Sequence, residues 1–112
     1  MTELAKQSCE ACRVGAPQLT EPEIEMLKSQ LSAWQVAEVE GEKRFVRSFR
    51  FPNFIAAMDF AVKVGHLAEE HNHHPKLCVE WGGVEVSWWT HKIKGLHHND
   101  AVMAAKTDAL YG

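Results

Sequence analysis

The sequence has no surplus of positive charge. Twelve Lys and Arg stand against 15 Asp and Glu, giving a net charge of −3 and a pI near 6.1. Broad, non-specific binding to nucleic acid needs a basic surface, so this balance argues against it. No apolar run approaches the ~20 residues of a membrane span, so no membrane partner is expected. Residues 1–13 carry acidic side chains and no apolar centre. That pattern argues against a secretory signal and makes the cytoplasm the expected location. Cysteine is scarce: only Cys9, Cys12 and Cys78 occur. An odd count in such a compartment argues against a disulfide framework. Repeats, low-complexity tracts and dividing linkers are also missing. At 112 residues the chain is therefore read as one domain.

Histidine is missing from the first 65 residues and abundant afterwards. All seven lie between His66 and His98. A cluster of the one side chain that titrates near neutrality points to function. Cys9-Glu10-Ala11-Cys12 supplies two thiols, half of what a structural zinc wants, with no partner pair close behind. It lies in residues 1–18, a polar stretch ending near Pro17 that reads as a mobile tail. The domain itself is expected over 19–112.

Thr20 and Glu23 form a capping box, and Pro22 suits an early helical position. Ile24, Leu27 and Leu31 follow at helical spacing, and Ser32-Ala33 ends the helix. Two strands follow, Trp34 to Val39 and Lys43 to Phe51, around a turn at Glu40-Gly41-Glu42. In the second strand Phe45, Arg47, Phe49 and Phe51 share one side. Pro52 opens a long helix whose stripe is Phe54, Ala57, Met58, Ala61, Val62, Leu67 and Ala68. Pro75 prevents its continuation. Leu77 to Trp81 and Val84 to Thr90 form a second hairpin around Gly82-Gly83. Asn99 to Tyr111 reads as a last helix, capped by Asn99 or Asp100. The order α-β-β-α-β-β-α predicts an α+β fold: a four-stranded antiparallel sheet with helices packed on one face.

A two-residue Gly82-Gly83 loop sets a register. Trp81 then faces Val84, Leu77 faces Trp88, and Glu80 meets Glu85. Extended, the ladder brings His74 opposite His91. His73 lies one residue away, with Glu69, Glu70 and His71 on the last helical turn. Trp88 and Trp89 are placed on opposite sheet faces. Three readings fit the cluster of His73, His74 and His91. Three imidazoles and a carboxylate suit zinc or iron, although no HExxH is present. Imidazoles also suit proton transfer at neutral pH. Surface histidines at a helix end can also simply cap carbonyls. His97-His98 reads as a solvated loop.

The run Glu69-x-x-x-His73-His74-Pro75, then Trp81, then Thr90-His91, then Lys94-Gly95-Leu96-x-x-x-Asp100 resembles the signature of the pterin-4a-carbinolamine dehydratases. The resemblance spans roughly residues 20–110 and leaves out the CxxC. It implies dehydration of 4a-hydroxytetrahydropterin to quinonoid dihydropterin, which recycles the pterin of aromatic amino acid hydroxylases. It implies no metal and no organic cofactor. It assigns proton transfer to His73 and His91 and pterin binding to His74. Glu69 and Asp100 match acidic site positions, and Trp89 is taken as part of the binding groove. Asn72 and Ile93 stand where mammalian members carry Asp and Cys. The resemblance also implies dimers or tetramers, as do the exposed edges of an open sheet. A second reading follows from regulatory relatives: a protein-binding regulator of hydroxylase expression, resembling a transcriptional cofactor.

Overall fold

The computed structural model describes Leu4 and residues 17–112. Cys9, Cys12 and most of the N-terminal tail lie outside the described residues. Leu4 itself is buried among core side chains.

Thr20 caps α1 (Glu21–Lys28) through the expected capping box with Glu23. The helix stops four residues short of Ser32. Next come β1 (Gln35–Val39) and β2 (Glu42–Arg50). Their turn, Glu40-Gly41, has φ of 53° and 81°. Two positive φ values are the pattern of a primed hairpin turn, which matches the twist of the strands. Then follow α2 (Phe54–His71), β3 (Lys76–Glu80), β4 (Gly83–Trp88), a 3-10 turn (His91–Ile93) and α3 (His98–Tyr111). The sheet is four-stranded and antiparallel in the order β1-β2-β4-β3. The expected fold class and element order are both observed.

The core lies between one sheet face and the helices. Phe45 and Phe49 of β2 and Val84, Val86 and Trp88 of β4 are buried there, facing Ala57, Phe60, Val64 and Ala68 of α2 and Val102 of α3. Arg47 sits on the same face of β2. It bonds Asp108 of α3 at 2.5 Å and lies over the Phe49 ring. Trp34 donates to the same carboxylate oxygen at 2.9 Å. Paired in this way, Arg47 leaves the aromatic face buried.

Three expectations are corrected. First, the β3–β4 loop is Trp81-Gly82, not Gly82-Gly83. Only Gly82 takes a positive φ, at +80°, while Gly83 joins the ladder opposite both Glu80 and Arg50. The register slides by two residues. Leu77 faces Val86, Val79 faces Val84, and Cys78 rather than Glu80 faces Glu85. A slide of two preserves the side each residue faces, so the core is unaffected. His74 loses its place opposite His91. Second, the buried stripe of α2 is rotated from the expected one. Phe60 and Val64 are inside, while Phe54, Met58 and Val62 are exposed. Third, α3 is capped by His97, whose Nδ1 accepts from the Asn99 N–H, and not by Asn99 or Asp100. Among the described residues no helix is long and apolar enough to cross a membrane.

Candidate active site

The end of α2 places the first histidine. Asn72 takes a left-handed conformation at φ 50°, which Asn tolerates better than most residues. Its N–H bonds the Glu69 carbonyl, and the next N–H, of His73, bonds Ala68 at 3.1 Å. These two bonds close the helix with a left-handed cap and turn the chain sharply toward β3. The His73 ring then stacks on Trp88, with centroids 5.8 Å apart and planes at 12°.

His73 Nε2 lies 2.7 Å from Asp100 Oδ1. Asp100 is fully buried. Its Oδ2 accepts from the Thr90 hydroxyl at 2.8 Å and from the His97 N–H at 2.9 Å. An ionised carboxylate only accepts, so the proton on Nε2 is inferred to be donated to Asp100. Nδ1 is then left to accept a proton or, once protonated, to give one up. Asp100 therefore does two things. It completes the capping box of α3 with His97, and it orients the His73 imidazole.

His74 follows on the exposed side. Its Nε2 pairs with Oε2 of Glu69, one helical turn back from the chain's bend. His91 occupies a tight loop. Thr90 and Gly95 exchange backbone hydrogen bonds across it at 2.9 and 3.4 Å, and Lys94 takes a left-handed φ of 53°. The His91 ring leans on Trp89, with centroids 4.4 Å apart. Gln18 holds this loop from outside by donating to the Ile93 carbonyl at 2.9 Å.

Three of the sequence-predicted site groups are thus tied in separate pairs: His73 with Asp100, His74 with Glu69, His91 with Trp89. His74 and His91 do not face each other across a hairpin, because of the two-residue slide. Asp100 was expected to bind substrate, but it is buried and both its oxygens are engaged. Sequence reasoning passed over Thr90 and the stacking surface of Trp88, and it read His97-His98 as a solvated loop where the structure has the half-buried N-cap and first residue of α3. The Thr90–His91 pair inside the quoted motif was the available signal for Thr90. His97 gave none, because histidine is not a preferred N-cap residue. Among the described residues, no group of three or more His, Cys, Asp or Glu is placed to hold a metal ion.

A family model for pterin 4 alpha carbinolamine dehydratase matches residues 17–110. The chain belongs to the pterin-4-alpha-carbinolamine dehydratase family. The activity of this family is that of a hydro-lyase, the loss of water from a pterin carbinolamine. The chain is similar to a protein of that name from Saccharophagus degradans, at 55% identity over 99% of this chain and 98% of the relative. A second, from Syntrophotalea carbinolica, is 54% identical over 98% of each. Among solved structures, a transcriptional coactivator/pterin dehydratase from Brucella melitensis superimposes with a TM-score of 0.77 at 33% identity. It covers 86% of this chain and 100% of its own. A pterin dehydratase-like protein, described as a RuBisCO assembly factor in the alpha-carboxysome, gives a TM-score of 0.61 over 71% of this chain. At 21% identity that likeness concerns the fold alone.

Proposed function

We propose that this chain dehydrates a 4a-hydroxytetrahydropterin to the quinonoid dihydropterin, with histidines moving the protons. The C4a–O bond breaks and the hydroxyl leaves as water, taking a proton from an imidazolium. The ring N–H of the pterin loses its proton to a second, neutral imidazole. The two transfers balance, and no oxidant or reductant is needed. Proton transfer by imidazole matches the task near neutral pH.

The observation that carries this reading is the His73–Asp100 pair. A buried carboxylate fixes one ring nitrogen of a nearly buried imidazole and leaves the other for chemistry. His91, on its separate support, is the second proton carrier. His74, exposed and paired with Glu69, is the group that holds the pterin. Asp100 acts through His73. The quinonoid product is two electrons more oxidised than tetrahydropterin, so a separate reductase-class reaction must act on it before it can serve a hydroxylase of aromatic amino acids again.

The test is the breakdown of 4a-hydroxytetrahydropterin by the wild-type chain and by a folded His73→Ala/His91→Ala variant. The wild type accelerates it, and the double variant returns it close to the uncatalysed rate. A double variant with wild-type kcat would remove the mechanism.

A second reading, a protein-binding regulator, is favoured by two observations. Ile55, Met58 and Val62 are exposed along one side of α2, and the Brucella melitensis relative is described as both coactivator and dehydratase. Capture of a partner that survives replacement of His73 and His91 would support it.

A further inference from the structure

Trp89 lies on the sheet face away from the helices, yet it is only 7% exposed. Among the described residues, two side chains make a ring or cation contact with its indole. One is His91. The other is Arg44 of β2, whose guanidinium carbon sits 3.8 Å from the indole centroid. Arg44 is opposite Ala37 in the β1–β2 ladder, and so small a neighbour leaves it free to lie toward β4. It is half-buried. Its Nε is fully buried and has no hydrogen-bond partner among the described residues. A buried guanidinium N–H without an oxygen acceptor is a costly arrangement. Among the described residues, the indole face beneath the guanidinium offsets this cost, by attraction between cation and ring.

The backbone around His91 is fixed by the Thr90–Gly95 hydrogen bonds, but the residue is exposed and, among the described residues, its ring makes an aromatic contact with Trp89 alone. The indole therefore decides where that imidazole rests, and the guanidinium decides where the indole rests. We propose that Arg44 is a positioning residue for His91, acting through Trp89. The proposal rests on the catalytic reading of His91 for its effect on turnover, though not for the ring contact itself. A planar cation suits the task better than an ammonium, because it lies flat on the ring and is weakly hydrated. On this view the Arg44–Trp89 stack does for His91 what Asp100 does for His73.

The test is a double-mutant cycle with Arg44→Met, which keeps the apolar stem and removes the charge, and His91→Ala. In the wild-type background Arg44→Met should lower kcat by about 10-fold, a fraction of what a placed acid or base contributes. KM should stay within about twofold, since the loss is not one of substrate binding. Arg44→Lys should recover part of kcat, because it restores a cation over the ring. In the His91→Ala background Arg44→Met should have no further effect, because the route it acts through is gone. Nuclear Overhauser contacts between the His91 imidazole and the Trp89 indole should weaken in Arg44→Met and persist in the wild type. Additive effects on kcat, or wild-type kcat with unchanged ring contacts, would overturn the proposal. If His91→Ala alone kept wild-type turnover, the catalytic assignment of His91 would fall. The ring contacts in Arg44→Met would still decide the positioning role. Should Arg44→Met fail to fold, Arg44→Gln, which also removes the cation, carries the same cycle.

Discussion

Trp88 and Trp89 are neighbours in the chain and stand back to back across the sheet, each supporting one histidine. His73 stacks on Trp88, and His91 leans on Trp89. Trp88 ends β4 and Trp89 follows it directly, so the alternation of the strand, carried one residue further, points the two indoles to opposite sides. The two proposed proton carriers thus have separate supports. Loss of one ring leaves the other in place, so His73→Ala and His91→Ala should each fold and each lower kcat without abolishing it. A general acid or base contributes about 10²–10⁴-fold, which bounds each effect from above. His74→Ala should raise KM and leave kcat nearly unchanged, as loss of uniform binding does. Steady-state kinetics on folded single variants would check both.

Asp100→Asn keeps the shape of the side chain and removes its charge. An amide can still accept from His97, but it no longer draws a proton to Nε2 of His73. We expect kcat to fall by at least about 10-fold, with a stability loss of about 1–3 kcal/mol from the weakened buried network. Thr90→Val, which removes one donor to Oδ2, should cost about 0.5–1.5 kcal/mol. Denaturant titration beside kinetics separates the two effects. Wild-type kcat in a folded Asp100→Asn chain would deny the carboxylate any hold on the imidazole.

Self-association should be measurable. β1 and β3 are edge strands, and unpaired edges invite covering. Phe54, Ile55, Met58 and Val62 add an exposed apolar side to α2. Sedimentation at micromolar concentration should show a dimer or tetramer, and Met58→Glu/Val62→Glu should shift it toward the 12.6 kDa monomer. A wild-type chain that sediments only as monomer refutes this.

Activity should persist after dialysis against a strong chelator. Catalysis by paired imidazoles uses no Lewis acid. Loss of turnover on chelation, restored by added zinc, would favour the metal reading of the histidine cluster.

The N-terminus of α1 should respond to acid. Bonds from the Thr20 backbone N–H, then from its side chain, hold the Glu23 carboxyl below its ordinary pKa. A lowered folded-state pKa adds stability above the unfolded value, and that contribution is lost as pH falls through the folded one. The first turn of α1 should therefore fray in the acid range, below the usual carboxylate pKa. In Glu23→Gln this pH dependence should vanish. Amide chemical shifts of residues 20–24 across an acid titration would show it.

Where local chemistry settles a choice, the sequence was sufficient. Thr20 and Glu23 are a reciprocal cap, Pro52 and Pro75 bracket one helix, and the alternation around Phe45 and Phe49 has a single period. The histidine motif was legible because three of its members sit close together in sequence. What was not legible depended on tertiary context. Gly82 and Gly83 look equally fit for a turn, and the ladder to β2 decides that Gly83 belongs to a strand. The α2 helix is apolar on more than one side, so periodicity alone could not say whether Val62 or Val64 faces the sheet. The His73–Asp100 contact joins residues separated by 27 positions, and no local pattern announces it. Arg44 carries no motif at all. Its role follows from the strand pairing that sets it beside Trp89.

Asp100 also serves as the third residue of a helix that it caps. The same oxygen that receives the His97 N–H receives the Thr90 hydroxyl, while its twin holds His73. The opening turn of α3 therefore cannot unwind without releasing the imidazole. Hydrogen exchange at the His97 and Asn99 amides then becomes a clock for the site, because the fluctuation that exposes them also unseats His73. The lifetime of the reactive geometry is set by a helix end, and anything that steadies that end prolongs it.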